Sequence, residues 1–213
     1  MADVRLWRKH DLAVLFVMAT EQEYGPELKQ RIHPLITGVG PVEAASATSE
    51  ALSRLQGEGA LPQLVFSLGS AGSRNLEHAE VYQLASVSYR DMDCSPLGFP
   101  RGVVPFLEEP SVILIPYQIS GIKSASIATG ASIVSGSMYD AIEADMVDME
   151  SYAVYRAAKR FNVPMIGMRG ITDGKSELSR YEDWADYLEI VDHKLAADID
   201  SFSAAVESGK FSL

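Results

Sequence analysis

The chain has 213 residues, of which 47% are hydrophobic and 22% are charged, and this composition is typical of an ordinary globular protein with a full core. Its formal net charge is −11, from 29 acidic and 18 basic residues, which argues against a nucleic-acid or anionic-membrane surface and against a site for several phosphates. Its one cysteine, Cys94, excludes an internal disulfide and favours a reducing compartment.

The amino-terminal segment is basic, but the apolar run that follows it is short and lacks a small-residue cleavage pattern. We therefore expect no signal peptide. No apolar run reaches the roughly 18 residues of a spanning helix, so we expect a cytoplasmic protein without a membrane partner. Neither a low-complexity linker nor an internal repeat divides the sequence, and residues 1–213 are predicted to form one domain.

Short apolar runs predict strands, and amphipathic stretches between them predict helices, the first with Pro41 in its opening turn. This alternation predicts an α/β domain with a mixed or mostly parallel sheet, in which ligands bind beyond the carboxyl ends of strands. The predicted strands are Leu12–Met18, Leu64–Leu68, Val81–Tyr89, Val112–Ile115 and Pro164–Ile171, and the predicted helices are Val42–Leu55, Val147–Phe161 and Trp184–Val206.

Three acidic residues carry most of the functional signal. Glu23 and Asp173 follow predicted strands, while Glu150 lies on an otherwise apolar helix face. Carboxylates in such positions are costly unless they bind a ligand or transfer protons. Each also has a structural explanation: Glu23 with Glu21 as an acidic helix start, Glu150 as a complement to the helix dipole, and Asp173 as half of an Asp-Gly turn.

The three carboxyl groups suit different chemistry. Near a helix N-terminus Glu150 should be ionised, and a group that only accepts hydrogen bonds suits the paired hydroxyls of a sugar. Asp173 could share or donate a proton, with Thr172 and Ser70 orienting it by hydrogen bonds. Alternation along an extended segment would direct Glu23 and the acid two residues before it to one side, where one of them could activate a water.

The segment Gly69–Gly72 follows a predicted strand and should turn sharply. Its small residues would let the backbone N–H groups of Ser70, Ala71 and Gly72 approach a ligand, although a tight packing turn explains it equally well. No Gly-Lys-Ser/Thr follows, so the segment is not a nucleotide-phosphate loop. The four histidines show no metal-ligand spacing and Cys94 has no companion histidine, so we expect no metal, no cofactor and no cysteine nucleophile.

Several segments together resemble the nucleoside phosphorylase/nucleosidase superfamily, and within it the 5′-methylthioadenosine/S-adenosylhomocysteine nucleosidases. Each is a weak signal alone, but the set keeps the family order from near residue 12 to the carboxyl end. The segments are A-T-E-Q-E-Y (19–24), G-V-G-P-V-E-A-A (38–45), L-G-S-A-G-S (68–73), V-D-M-E-S (147–151) and F-N-V-P-M-I-G-M-R-G-I-T-D (161–173), with a weaker match in Y-R-D-M-D (89–93).

The resemblance implies a three-layer α/β/α fold around a central mixed β-sheet and a homodimer. Helical surfaces and a shortened loop near Phe99–Phe106 suggest where the dimer contacts lie. It further implies that Asp173 protonates N7 of a purine as the glycosidic bond breaks, while Ser70 and Thr172 orient that acid. A neutralised leaving base and a nearby carboxylate both stabilise a ribosyl cation-like transition state, so the chemistry agrees with this assignment.

The same resemblance implies the roles at the sugar end of the site. Glu150 matches the group that binds ribose hydroxyls, Met149 matches the side chain beneath the sugar, and Glu23 matches the acid that activates the attacking water. Related phosphorylases carry a phosphate-binding arginine in the loop after the first strand, where this chain has Glu21 and Glu23. Acidic side chains repel phosphate, so water is the expected nucleophile.

At the base end, Ile133 takes the position of the family's usual stacking aromatic and is followed by Val134. Aliphatic contact covers a base but stacks on it less well, and Phe99, Tyr181 or Trp184 could supply an aromatic contact. The main hypothesis is hydrolysis of an adenine nucleoside of the methylthioadenosine type, a small-molecule substrate. Because loops are shorter than usual in the family, another nucleoside, phosphorolysis, and a nucleoside-binding module with weak catalysis stay open.

Overall fold

The computed structural model describes residues 4–174 and 184–213. In this part of the chain the strands are β1 (Trp7–Lys9), β2 (Leu12–Met18), β3 (Leu35–Ile36), β4 (Leu64–Gly72), β5 (Val81–Tyr89), β6 (Val112–Leu114), β7 (Ser124–Thr129), β8 (Met146–Asp148) and β9 (Met165–Asp173). The helices are α1 (Pro26–Lys29), α2 (Pro41–Gly57), α3 (Ser151–Arg160) and α4 (Leu188–Glu207), with 3₁₀ turns at Ser95–Leu97 and Gly136–Ala141.

The strands form one mixed sheet, as predicted. β1 and β3 pair with the two ends of one edge of β2, and the other edge of β2 pairs in parallel with β4. β6 pairs with β5 in antiparallel orientation. Beyond β4 the sheet closes on itself, because β4, β9, β5, β7 and β8 pair in succession until β8 returns to β4. The register sets Gly72 opposite both Val147 and Asp173, so three strands meet at this glycine.

The helices cover the sheet and enclose an aromatic core. α2 and α3 pack on each other, while α4 packs on α1 and β9, which completes the expected α/β/α layers. In the core, the ring of Phe16 stacks on Phe66 with centroids 5.3 Å apart, and Phe66 meets Phe202 edge-on at 5.1 Å. All three side chains are buried, and each such burial contributes about 1.5–3 kcal/mol to stability.

The predicted strands are confirmed, and β2 and β5 have the predicted bounds. The sharp turn expected at Gly69–Gly72 is wrong, because these residues continue β4 and stay paired with β9. A register shift between Ala71 and Gly72 is the only break in that pairing. The small side chains of Gly69–Gly72 therefore leave space beside the strand and do not form a turn.

The predicted helix Val147–Phe161 begins later than expected. Met146–Asp148 instead form β8, which pairs in parallel with β7. The backbone N–H of Ser151 donates to the carboxylate of Asp148 at 2.9 Å, and this cap marks the start of α3. Glu150 is therefore the residue before the helix and does not belong to its apolar stripe.

The two other predicted helices differ from the structure at their ends alone. α2 begins at Pro41, as its sequence predicted. α4 begins at Leu188 and not at Trp184, and its apolar stripe of Val191, Leu195 and Phe202 is buried, as the helical spacing predicted. None of the described helices combines the length and apolarity needed to cross a membrane.

Candidate active site

A cavity of about 410 Å³ lies where β2, β4, β8 and β9 end, and its size is usual for a small-molecule site. It brings together the three acidic residues that the sequence singled out, although they are far apart along the chain. The residues predicted for the site that line this cavity are Glu23, Ser70, Ala71, Gly72, Ile133, Val134, Met149, Glu150 and Asp173.

Glu23 lies in the turn after β2 and is only 8% exposed. Its Oε1 accepts hydrogen bonds from the backbone N–H and the hydroxyl of Ser70, both at 2.7 Å, while Oε2 is 3.4 Å from the hydroxyl of Thr20. Glu21 does not share this side, because the segment turns, with the Tyr24 N–H donating to the Glu21 carbonyl at 3.2 Å, and leaves Glu21 exposed. Oε2 of Glu23 is thus the oxygen better placed to accept a proton.

Asp173 ends β9 with its carboxyl group at the cavity. Its Oδ1 accepts a hydrogen bond from the hydroxyl of Thr172 at 2.9 Å, and Thr172 itself is fully buried behind the cavity wall. Burial raises the pKa of Asp173, and the bond from Thr172 and the charge of His78 oppose that rise. A carboxyl group that keeps its proton to higher pH is suited to donate it.

Ser70 has a different partner from the one that the resemblance implied. Its hydroxyl donates to Glu23 and accepts a hydrogen bond from the indole Nε1 of Trp184 at 2.9 Å. A serine hydroxyl can donate only one hydrogen bond, and here it donates that bond to Glu23. Ser70 therefore orients Glu23 in this structure and has no donor left for Asp173.

Glu150 is tied to the start of another helix. Its Oε1 accepts a hydrogen bond from the backbone N–H of Gly40 at 2.8 Å. Burial first, and then the charge of Asp148, raise the pKa of Glu150 to about 7, against the bond from Gly40 and the charge of Arg169. The prediction that Glu150 is ionised because it lies near a helix N-terminus is contradicted by the direction of this shift, since burial, its largest cause, favours the protonated form.

A buried ion pair supports the floor of the site, and sequence reasoning missed it. Nη2 of Arg169 donates to Oδ2 of Asp148 at 3.0 Å, with both side chains at most 2% exposed. Arg169 also donates to the Ser67 carbonyl at 3.1 Å and to the Ser151 hydroxyl at 2.8 Å, so it joins β4, β8 and α3. The available signal was the charged Arg169 inside the apolar run Pro164–Ile171.

At the predicted base end, Val134 is buried and Ile133 is 64% exposed, and both line the cavity. Trp184 lines it as well, so one of the three suggested aromatic residues faces the cavity. Phe99 packs edge-on against a loop aromatic and does not line the cavity, which corrects its expected contact with the base. Tyr181 lies outside the described residues.

Arg90 is a lining residue that sequence reasoning did not single out. Its Nη1 donates to the hydroxyl of Ser132 at 3.1 Å and to the carboxylate of Asp91 at 3.0 Å. In the described lining, this one basic side chain faces four acidic ones, so the cavity is acidic overall. Within residues 4–174 and 184–213, no group of three or more His, Cys, Asp or Glu side chains is arranged to hold a metal ion.

Comparisons with known proteins identify what the chain is similar to. A 5′-methylthioadenosine/S-adenosylhomocysteine nucleosidase of Haemophilus influenzae (strain PittEE) is 30% identical over 158 residues, which are 66% of this chain and 67% of the relative. The nucleosidase of the same name from Neisseria meningitidis, in complex with methylthio-immucillin-A, superposes with a TM-score of 0.73 at 19% identity, over 90% of this chain and 97% of its own. Native futalosine hydrolase of Helicobacter pylori strain 26695 superposes with a TM-score of 0.73 at 21% identity, over 88% and 95%.

The two superpositions show that the chain has the nucleoside phosphorylase-like fold that the resemblance implied. Residues 24–203, most of the chain, match the family described as the phosphorylase superfamily. This chain therefore belongs to the phosphorylase superfamily.

Proposed function

We propose that this protein hydrolyses the N-glycosidic bond of an adenine nucleoside of the 5′-methylthioadenosine/S-adenosylhomocysteine type and releases adenine. The observation that carries the proposal is the convergence of Asp173, Glu150 and Glu23 on one cavity, each with a different set of partners. Three such carboxyl groups provide an acid for the base, an acceptor for the sugar and a base for the nucleophile. The 30% identical nucleosidase supports the same reaction class.

Asp173 is the proposed acid. It donates its proton to N7 of the purine while the bond between the sugar C1′ and N9 breaks and its electron pair moves to the base. The buried setting that raises the pKa of Asp173 keeps this proton available. Ala71 and Gly72, Val134 and the partly exposed Ile133 provide the walls of the base end.

The sugar end holds the positive charge that develops on the ribose. Glu150 accepts hydrogen bonds from the ribose hydroxyls, with Met149 beneath the sugar, and both line the cavity. A water attacks C1′ and passes a proton to Glu23, whose Oε2 is the less occupied oxygen. Two carboxylates near the sugar stabilise an oxocarbenium-like transition state by the logic of glycoside hydrolysis.

Water is the proposed nucleophile because the cavity is acidic. Glu23 and Glu150 both line the cavity, and in this proposal they lie at the end where the nucleophile approaches the sugar. Arg169, which could otherwise attract an anion, is 2% exposed and fully engaged with Asp148 and its neighbours. Phosphate would meet the carboxylate of Glu23 there, and this repulsion favours hydrolysis over phosphorolysis.

The test is base release, followed by chromatography, from methylthioadenosine, S-adenosylhomocysteine, adenosine and inosine, each with and without inorganic phosphate. Adenine from the thio-nucleosides at the same rate in both conditions supports the proposal. Turnover that requires phosphate would replace it with phosphorolysis. The likeness to a futalosine hydrolase makes futalosine the second candidate substrate, and it belongs in the same assay.

A nucleoside-binding module with weak catalysis differs from the proposed hydrolase in that it binds its ligand without turnover. The chain has two tryptophans, and Trp184 lines the cavity while Trp7 packs on Phe16 in the core. In a Trp7→Phe variant, adenine should change the emission of Trp184. Such a change without any base release would favour the binding module.

The homodimer implied by the resemblance remains a prediction, as does a single domain over residues 1–213. Leu97 and Phe106 are 78% and 94% exposed, which is unusual for large apolar side chains and is consistent with a protein contact in that loop. Light scattering after size exclusion should give twice the chain mass of 23.2 kDa. A Phe106→Ser variant that remains dimeric would exclude this loop as a required contact.

A further inference from the structure

The hydroxyl group of Tyr139 is buried without a use in the mechanism described so far. Tyr139 lies in the 3₁₀ turn Gly136–Ala141, is 7% exposed, and packs its ring with Val134 and Val147, two residues of the cavity wall. Its hydroxyl oxygen has no hydrogen-bond partner among the described residues. A buried hydroxyl without a hydrogen-bond partner lowers the stability of the fold, which indicates that it forms a hydrogen bond in the substrate-bound state.

The nearest candidate for that partner is the proposed acid. A Cβ atom built on Gly72 would lie 2.4 Å from the Tyr139 hydroxyl oxygen and 2.6 Å from Oδ2 of Asp173. The two oxygens are therefore at most 5.0 Å apart, beside a residue whose lack of a side chain leaves room for both. Oδ1 of Asp173 already accepts the bond from Thr172, so Oδ2 is the oxygen left for a second donor.

We infer that the Tyr139 hydroxyl donates a hydrogen bond to Oδ2 of Asp173 during the reaction and stabilises the carboxylate left after Asp173 has protonated the leaving base. This inference rests on the proposed function, in which Asp173 is the acid. Tyr139 keeps its own proton, and it is a positioning residue because it does not line the cavity. Catalytic hydrogen bonds are often long in unliganded sites and shorten when the substrate binds.

The surroundings keep Tyr139 a neutral donor. Burial first, and then the charge of Asp173, raise the pKa of Tyr139, against the charges of Arg74 and Arg90. The guanidinium of Arg74 lies 5.3 Å from the centre of the Tyr139 ring, and burial raises the pKa of Asp173 more than electrostatic interaction with His78 lowers it. Tyr139 thereby supplies the second donor to Asp173 that Ser70, bonded to Glu23, does not provide.

The Tyr139→Phe variant removes the hydroxyl and keeps the ring in its apolar cluster. Loss of a hydrogen bond to a charged group should lower kcat by about 10- to 100-fold. Because the bond favours the ionised form of Asp173 in the substrate complex, its removal should also move the alkaline limb of the kcat profile, which reports that complex, upward by about one pH unit. A purely structural role would lower the rate and leave that limb in place. Tyr82→Phe, at a buried tyrosine outside the cavity, is the matched control.

A second measurement decides the inference even if no nucleoside is turned over. The pKa of the Asp173 carboxyl is measured by ¹³C NMR on aspartate-labelled protein, with Asp173→Asn to assign the signal, in wild type and in Tyr139→Phe, each with and without adenine. A higher pKa in Tyr139→Phe confirms the hydrogen bond. An unchanged or lower pKa overturns it. Absence of base release by the wild-type protein would instead overturn the proposed function.

Discussion

Oε1 of Glu150 accepts the backbone N–H of Gly40 at 2.8 Å, so the residue before α3 is tied to the residue before α2. Gly40 has a φ of 99°, a region that residues with a side chain rarely adopt. The conformation that directs the Gly40 N–H toward Glu150 is therefore one that glycine adopts readily and other residues do not. The position of the proposed sugar-binding carboxyl depends on this backbone conformation.

Gly40→Ala should reduce both stability and activity. A Cβ at residue 40 would meet nothing within 4 Å, so the cost is conformational, about 1–2 kcal/mol in free energy of unfolding. Relaxation of the backbone would turn the amide from Glu150 and raise KM for the nucleoside. Urea unfolding and steady-state kinetics measure the two effects. Gly209→Ala is the matched control, because Gly209 has a φ of 68° and equal space but lies after α4, so its loss of stability should leave kinetics unchanged.

Asp173→Asn should lower turnover by about 100-fold or more while the fold is kept, because an amide cannot donate the proton that the leaving base requires. The rate of base release and the melting temperature are measured together. Asp198→Asn is the control, since burial also raises the pKa of Asp198 but that residue does not line the cavity. Near-wild-type turnover in a folded Asp173→Asn protein would remove Asp173 from the mechanism.

Glu150→Gln should harm the use of ribosides more than that of 2′-deoxyribosides. A carboxylate that accepts two sugar hydroxyls loses its charge and one acceptor in the amide, which costs about 10-fold or more in kcat/KM for the riboside. The deoxyriboside lacks one of these hydroxyls and should lose less. Equal losses on the two substrates would contradict hydroxyl binding by Glu150.

Glu150 should also make stability depend on pH. Its pKa is about 7 in the folded chain against an ordinary value of 4.5, so folding favours the protonated form. Ionisation then opposes folding, and the contribution of this group to stability falls as pH rises from 4.5 through about 7. Glu150→Gln should therefore match wild type below pH 4.5 and exceed it by about 1–3 kcal/mol above pH 7. Urea unfolding of both proteins across this pH range tests the prediction. A difference in free energy of unfolding that does not change with pH would show that the pKa of Glu150 is not raised.

The Arg169–Asp148 pair predicts a strong asymmetry between single and double variants. Arg169→Met leaves the buried carboxylate of Asp148 unpaired and should lower the free energy of unfolding by about 3–5 kcal/mol. Adding Asp148→Asn should recover part of that loss, because no charge is then left buried. Arg31→Met, which breaks ion pairs at the surface, should lower the free energy of unfolding far less.

The sequence predicted the strands well because apolar runs such as Leu12–Met18 are a local property. It also identified residues that share one cavity, since each acidic residue stood beside an apolar element. It failed where partners from distant segments decide the outcome. The start of α3 depends on the cap from Asp148, and the protonation of Glu150 depends on burial among strands that no local pattern describes. The role of Ser70 likewise depends on Glu23 and Trp184, which approach it only in the fold.

The closed succession of strands has a consequence for synthesis of the chain on the ribosome. β4 and β5 are made early, but the strand that lies between them, β9, emerges about a hundred residues after β4 begins. Until then both strands present open edges rich in apolar residues, which are prone to pair with other chains. Emergence of β9 covers these edges and delivers Asp173 at its tip in the same event. The nascent chain should therefore be most vulnerable to aggregation just before the proposed catalytic acid emerges from the ribosome.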